Sequence, residues 1–475
     1  MKPHKTYPVL ESIEIIDAGA EGKCIAKVND MVVFVPFVVP GDIVDIELYK
    51  KKRNFGEGNA IRFHKYSEKR VDAFCEHFGV CGGCRWQGMN YKWQGFYKEK
   101  QVTDAFKHIG KVTPEEILPI ILSERIQYYR NKLDFAFSSK RWFTYNEPRL
   151  EANDPENNAL GFHVPERFDK VLDIRNCYLQ DELSNQIRLE IKRYALEHEI
   201  SFYDARNWDG ILRNLIIRNS IENDWLILLV FKEDIPEVII PMMEHIRQQF
   251  PQITSLYYAI NNKRNDTLQD VEIRLFSGKP DMLETLPRFN NPAEKLKFKV
   301  SPVSFYQTNS RQAAKLYHVA AEFAALTGNE VVYDLYTGTG TIACYVAENA
   351  QKVVGIEYVE PAVADARINA AENGYNNMVF YAGDMAKVLT EEFIAANGKP
   401  DVIITDPPRA GMHDKVITQI LACAPQRIVY VSCNPATQAR DVALFSTDYR
   451  LAKIQPVDMF PHTHHVENVA LLIRK

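Results

Sequence analysis

The chain has 475 residues, 46% of them hydrophobic and 25% charged, with a formal net charge of −5. That length predicts two to four domains with sizeable cores, and the composition is ordinary for a soluble globular protein. Mild acidity excludes a uniformly basic coat for nucleic acid but leaves local basic patches open. The sequence has no uncharged apolar run of about 18 residues, so no membrane association is expected.

The opening Met-Lys-Pro-His-Lys-Thr-Tyr-Pro lacks the apolar centre of a secretory signal. A cytoplasmic location is expected, where thiols stay reduced and clustered cysteines serve metals or catalysis rather than disulfides. No obligate protein partner is expected.

Residues 1–64 read as short strands, Val9–Ile16, Gly22–Val28, Met31–Pro36 and Asp42–Tyr49, separated by glycine and Asn-Asp or Pro-Gly turns. Such spacing predicts a small β-barrel. Lys50-Lys51-Lys52-Arg53, followed by Phe55, reads as a hairpin tip. It is either a solvated turn or a phosphate contact with an aromatic stacking partner. Residues 65–300 form the expected central domain: a cysteine-rich stretch, a helix over Tyr91–Gly110, then alternating strands and helices over 128–290. The polar segment Glu147–Asn158, with two prolines, reads as a surface loop.

Residues 301–475 read as an α/β domain. A helix over Asn309–Leu326, closed by Gly328, precedes strands Val331–Tyr336, Lys352–Glu357, Met378–Gly383, Asp401–Thr405 and Arg427–Ser432. Helices including Pro361–Asn373 and Asp414–Cys423 intervene. This alternation predicts a parallel, doubly wound sheet of the Rossmann type, in which ligands bind beyond the carboxyl ends of the strands. Tyr336, Glu357, Asp384, Asp406 and Cys433 all fall at such ends.

Gly338 and Gly340 follow the first of these strands, where glycine permits a tight turn and close approach to a ligand. Glu357 ends the next strand, where a carboxylate can accept both ribose hydroxyls. A dinucleotide would require the third glycine of Gly-x-Gly-x-x-Gly, which Gly-Thr-Gly-Thr-Ile lacks. A nucleoside ligand without phosphate, such as S-adenosylmethionine, fits better; a tight βα turn with no ligand is the plain structural alternative.

Cysteines inside apolar strands and helices are usually small buried hydrophobes, which is the expectation for Cys344 and Cys423. Cys433 differs, because Asn434-Pro435 breaks its strand and leaves the thiol at the ligand-binding edge. A thiolate beside a methyl donor points to covalent catalysis on an unreactive carbon such as uracil C5. Addition at C6 makes C5 electron-rich; after methylation a base must remove the C5 proton to release the enzyme. Glu467 is the candidate base, or else a surface residue before a last strand, Asn468–Ile473. Asp406-Pro407-Pro408 resembles the Asp-Pro-Pro-aromatic motif of amine methyltransferases, but Arg409 replaces the aromatic residue.

Cys75-x5-Cys81-x2-Cys84 is compact, with Gly82-Gly83 free to wrap a metal centre and Cys177 available as a fourth ligand. Four thiolates suit a [4Fe–4S] cluster or zinc, and His77 permits a Cys3His zinc site.

These motifs together resemble the bacterial RNA uracil-5 methyltransferases, specifically their iron–sulfur branch acting on 23S ribosomal RNA. The likeness covers a barrel similar to a TRAM domain, Cys-x5-Cys-Gly-Gly-Cys-x-x-Gln (75–87), Phe-Tyr-Gln-Thr-Asn (305–309) and Asp-Leu-Tyr-Thr-Gly-Thr-Gly (334–340). It continues through Asp-Pro-Pro-Arg-Ala-Gly (406–411), Ser-Cys-Asn-Pro (432–435) and Asp-Met-Phe-Pro-His-Thr-x-His-x-Glu (458–467). The resemblance implies Cys433 as nucleophile and Glu467 as proton acceptor. It implies that Gln307, Tyr336, Gly338, Gly340, Thr341, Glu357, Asp384 and Asp406 line the S-adenosylmethionine site. It also implies a [4Fe–4S] cluster on Cys75, Cys81, Cys84 and Cys177.

Thr337, Thr341 and His464 depart from the residues usual in the family. Transfer-RNA members generally lack the cysteines and the barrel, so ribosomal RNA is the expected partner, with Arg130 and Lys132 as candidate phosphate contacts. The readings outside this expectation are a transfer-RNA substrate, an amine-directed methyltransferase and an iron–sulfur RNA-binding protein with an inert catalytic fold.

Overall fold

The computed structural model describes residues 7–145, 147–151 and 154–475; residues 1–6 of the opening stretch and positions 152 and 153 of the expected 147–158 loop lie outside the described residues. Five strands, Val9–Ala18, Cys24–Val28, Met31–Val35, Ile43–Lys51 and Phe55–Lys65, close into a barrel in the order first, second, third, fifth, fourth. Alternate residues point inward, and Ile15, Ala26, Val33, Val35, Val44 and Ile46 fill the interior. The fifth strand escaped the sequence pattern because Gly56, Gly58 and its charged residues mask the alternation. Lys50–Arg53 form the exposed tip. The ammonium groups of Lys50 and Lys52 lie 5.5 and 5.2 Å from the centre of the Phe55 ring, so that face is already covered within the chain.

The central region holds a seven-stranded sheet ordered Ile273–Gly278, Ser255–Ile260, Trp225–Phe231, Leu212–Asn219, Lys132–Ser138, Ala159–His163, Val171–Asp173. Every residue of Trp225–Phe231 is buried, as an apolar run covered on both faces requires. Helices Glu182–Glu197 and Pro236–Gln249 pack on one face. The other face shares a continuous core with the hairpin Met282–Pro287/Lys295–Val300 and the helix Ser310–Ala324. The central and carboxyl-terminal regions are thereby joined through apolar packing.

The carboxyl-terminal sheet has eight strands, ordered Met378–Ala382, Lys352–Glu357, Val331–Leu335, Val402–Thr405, Arg427–Ser432, Glu467–Arg474, Tyr449–Val457, Glu116–Ile117. The first five are parallel, as expected. The expectation of a purely parallel sheet is corrected beyond them. Glu467–Arg474 runs antiparallel to both its neighbours, because a helix-free loop joins it to Tyr449–Val457 and cannot make a parallel crossover. The helix Tyr91–Ala105, its π turn Phe106–Gly110 and the strand Glu116–Ile117 all pack on this sheet.

The helix expected over Asn309–Leu326 and closed by Gly328 instead runs Ser310–Ala324 and is capped by Ala325, whose φ of 46° lets its N–H return to the carbonyls of Ala321 and Glu322. Among the described residues, no helix is long and apolar enough to cross a membrane.

Candidate active site

The carboxyl ends of the parallel strands gather the sequence-predicted residues along one edge. Val331–Leu335 runs into Tyr336, which adopts φ 63°, a strained conformation for an aromatic residue that packing must hold in place. Gly338 follows at φ 55°, and a Cβ there would point into open space, leaving a cradle that a ligand can occupy. At Gly340 (φ 77°) a Cβ would press on Ala366 at 3.0 Å, so glycine lets the turn pack against the next helix.

The Gly338 N–H donates to Glu357 Oε2 at 3.1 Å and the Val359 N–H to Oε1 at 2.9 Å. These bonds aim the carboxylate across the turn while each oxygen keeps a free lone pair. Asp384 caps the short helix Met385–Val388 through the Ala386 N–H at 3.0 Å. The backbone of 305–309 lies over the turn: Thr339 Oγ1 reaches the Phe305 carbonyl at 3.4 Å, and Asn131 Nδ2 donates to the Gln307 carbonyl at 3.0 Å. Thr341 opens the helix Thr341–Val346, with its hydroxyl against buried Tyr317 beneath the turn. Cradle, ribose-type carboxylate and the absence of a phosphate-binding third glycine fit the nucleoside of S-adenosylmethionine.

Arg427–Ser432 ends directly before Cys433, and Asn434 caps the helix Pro435–Phe445 by accepting from the Ala436 N–H. The pairing Ser432 with Asn468 puts Glu467 across from Cys433 at the same end of two adjacent strands. Glu467 is therefore the first residue of its strand, one position earlier than expected, and is only 5% exposed. Burial, then the neighbouring Asp406 carboxyl, raise Glu467 to about 8 against the opposing Arg409 guanidinium. Burial, then Asp334, raise Asp406 to about 7.

Burial, then the Glu467 and Asp406 carboxyls, push the Cys433 thiol up to about 11, while Arg409 pulls it down. The Arg409 carbonyl accepts from Asn434 Nδ2 at 3.0 Å and Thr437 Oγ1 at 3.2 Å, which fixes the 406–411 loop beside Cys433. The helix start beside Cys433 and Arg409 both favour thiolate; burial and the carboxyls outweigh them in the free protein.

Three participants were missed in the sequence. Asp334, buried in mid-strand, is raised to about 7 by burial and accepts from Thr337 Oγ1 at 2.5 Å. Its signal was a carboxylate inside an apolar strand, rarely found without a role. Tyr317 lies beneath Asp406 and Glu467 on a helix read only as core, and nothing local marked it. Arg409 was noticed only as the replacement for an aromatic residue.

The four clustered cysteines form a second group. Cys75, Cys81, Cys84 and Cys177, all free thiols, line one cavity of about 230 Å³ together with Gly83, Gln87, Arg130 and Thr463. Burial raises all four thiols, Cys81 to about 11 and Cys84 to about 12; repulsion from the neighbouring cysteines adds to this at Cys75, Cys81 and Cys84, while Arg188 and Arg130 oppose it at Cys177. Charging them together requires a bound cationic centre. Among the described residues, no three His, Cys, Asp or Glu side chains converge on a single ion.

His77 Nε2 accepts from the Arg175 N–H at 3.0 Å, so Nδ1 carries the proton and neither ring nitrogen is free to bind metal. That removes the Cys3His alternative. Four thiolates around one cavity are a donor set that suits a [4Fe–4S] cluster or zinc. Arg130 and Lys132, expected to face RNA, are partly engaged internally: Arg130 Nε donates to the Lys132 carbonyl at 2.8 Å, and Lys132 pairs with Asp134 at 3.1 Å.

Residues 281–475 match the tRNA (Uracil-5-)-methyltransferase family, and residues 11–61 match the TRAM domain. An uncharacterized RNA methyltransferase of Bacteroides thetaiotaomicron is 54% identical, over 96% of this chain and 99% of its own. One from Porphyromonas gingivalis is 52% identical, over 97% and 99%. The solved Pyrococcus abyssi tRNA (uracil-54, C5)-methyltransferase, in complex with S-adenosyl-L-homocysteine, is 27% identical, with a TM-score of 0.74 over 97% of this chain and 100% of its own. With these likenesses beside a nucleoside cradle and a TRAM barrel, the chain belongs to the S-adenosylmethionine-dependent RNA uracil-5 methyltransferases.

Proposed function

We propose that this enzyme methylates C5 of a specific uridine in ribosomal RNA through a covalent Cys433 adduct resolved by Glu467. The observation that carries the reading is the strand register that sets Glu467 across from Cys433. The Cys433 thiolate, held by Arg409, adds to uracil C6, and the C5–C6 π pair moves towards the C4 carbonyl. S-adenosylmethionine supplies an electrophilic methyl group, which C5 takes up. Glu467 then accepts the C5 proton; the released pair restores the C5–C6 double bond and expels the thiolate.

Gln307, Tyr336, Gly338, Gly340, Thr341, Glu357, Asp384 and Asp406 hold the methyl donor in this reading, with Gln307 and Asp406 also facing the base. The buried carboxyls Asp334, Asp406 and Glu467 create a site short of positive charge, suited to a sulfonium. The target base must leave its stack to reach Cys433, which favours looped single strands. Cys75, Cys81, Cys84 and Cys177 would hold a [4Fe–4S] cluster that braces the fold, because methyl transfer consumes no electrons. Iron and acid-labile sulfide assays on anaerobically purified protein test that assignment.

Transfer RNA is the second reading. The Pyrococcus abyssi tRNA (uracil-54, C5)-methyltransferase matches nearly all of this chain, so the barrel does not discriminate between substrates. Nucleoside mass spectrometry and mapping on ribosomal and transfer RNA, with wild type and Cys433→Ala, test both. 5-Methyluridine formed by wild type in ribosomal RNA alone supports the proposal. Product in transfer RNA alone replaces it, and turnover by Cys433→Ala ends the covalent mechanism.

A further inference from the structure

The loop Asp458–Val466 leads into Glu467, and several of its outside anchors come from the chain around the cysteine cavity. The N–H groups of Arg85 and Trp86, immediately after Cys84, donate to the His462 carbonyl at 2.9 and 3.0 Å. Phe74, immediately before Cys75, packs edge-on against the His462 ring with centroids 5.0 Å apart. Thr463 lines the cavity itself. Tyr129 donates its hydroxyl to the Pro461 carbonyl at 3.0 Å, and its neighbours Tyr128 and Arg130 donate their N–H groups to Tyr178 and Leu179, just after Cys177.

Buried Lys98 adds a 2.6 Å ion pair to Asp458, and Gln94 Oε1 accepts from the His462 N–H at 2.8 Å. His462 is held at φ 66°, a conformation that persists only where its surroundings impose it. The hydrogen bonds around Cys433 go elsewhere, from Asn434 and Thr437 to Arg409 and from Gln438 to Tyr430 and Asn468.

From this asymmetry we infer that the cysteine centre positions the proton acceptor, with Tyr129 and the Arg85–Trp86 backbone as its links to the Glu467 loop. The inference rests on the Cys433–Glu467 reading above. Tyr129 is a positioning residue: it touches neither base nor methyl donor and acts through Pro461. Weakening the brace slows removal of the C5 proton and leaves addition of the thiolate intact, so the covalent adduct accumulates. Loss of the group that the cysteines would hold has the same consequence.

The test follows Tyr129→Phe in the full-length enzyme, with uridine-containing ribosomal RNA transcripts and S-adenosylmethionine in single turnover. Adduct resistant to denaturant is quantified against released 5-methyluridine. The expected result is resolution slowed roughly three- to tenfold, the effect of one lost hydrogen bond, with adduct appearance and S-adenosylhomocysteine binding within about twofold of wild type. Hydrogen exchange should rise at 459–466 but not at 428–436, which separates local loosening from misfolding. Cys84→Ser, checked for iron content, should shift the partition the same way.

Resolution at the wild-type rate in Tyr129→Phe, or equal slowing of both steps, overturns the inference. If Glu467→Gln traps adduct while Tyr129→Phe behaves as wild type, the brace fails and the mechanism stands. If Glu467→Gln forms no adduct, both fall.

Discussion

Cys433 and the Cys75–Cys177 group are thiols held in opposite ways. Cys433 stands where a parallel strand gives way to a capped helix, positioned by backbone hydrogen bonds that would persist without any ligand. The four clustered cysteines sit on irregular segments, burial disfavours their charged forms, and Arg130, which lines the cavity, cannot alone offset four thiolates. Regular secondary structure can preorganise one reactive sulfur; a set of sulfurs on loops relies on what it binds. The first arrangement suits a group that must be free to form and break bonds. The second suits a fastening.

Substitutions should separate the two. Cys433→Ala should reduce 5-methyluridine formation to background while leaving S-adenosylhomocysteine affinity near wild type by calorimetry; loss of cofactor binding would mean that this thiol, too, is structural. Glu467→Gln should slow product release roughly 10²- to 10⁴-fold, the usual contribution of a positioned base, and accumulate adduct visible on a denaturing gel.

Arg409→Gln removes the guanidinium that lowers the thiol. Its loss leaves burial and the carboxyls unopposed, so adduct formation near neutral pH should fall and recover as pH rises. A pH-independent defect would assign Arg409 to binding instead.

Glu467 should also leave a mark on pH dependence. As a base it acts when deprotonated, so adduct resolution should rise with pH and level off above about 8. The folded protein holds this proton from the carboxylate range of an unfolded chain, near 4.3, up to about 8. Between those values the folded state binds more protons than the unfolded one, so stability falls as pH rises. Thermal denaturation at pH 6 and pH 9 should show Glu467→Gln gaining on wild type at the higher pH, on the order of 2 kcal/mol. An equal gain at both would assign the effect to packing.

Much of this architecture was legible because local pattern determines it. Apolar runs of strand length, each followed by a helix, located the five parallel strands within a residue at either end, and with them the edge carrying Tyr336, Glu357, Asp406 and Cys433. Asn434-Pro435 marked Cys433 as a strand-end thiol before any fold was known. The reversal of Glu467–Arg474 was not legible, since a short loop between two strands leaves open which neighbours each will choose. The meeting of Glu467 with Cys433 follows from that choice and from register, both products of tertiary pairing. Tyr317 lay hidden for the same reason: a tyrosine on a core helix looks alike whether or not three carboxyls sit above it. His77 could be set aside as a ligand only once Arg175 was seen at its nitrogen.

The order of strands has a consequence for assembly. Glu467–Arg474 is inserted between two strands that precede it in the chain. Tyr449–Val457 therefore pairs with Glu116–Ile117 but is tied to the parallel strands only when this late segment has slotted into place, a long-range closure that is slow to form. Until then Cys433 has no Glu467 across from it. On the mechanism proposed above, an unfinished chain could bond to RNA at Cys433 but could not release it.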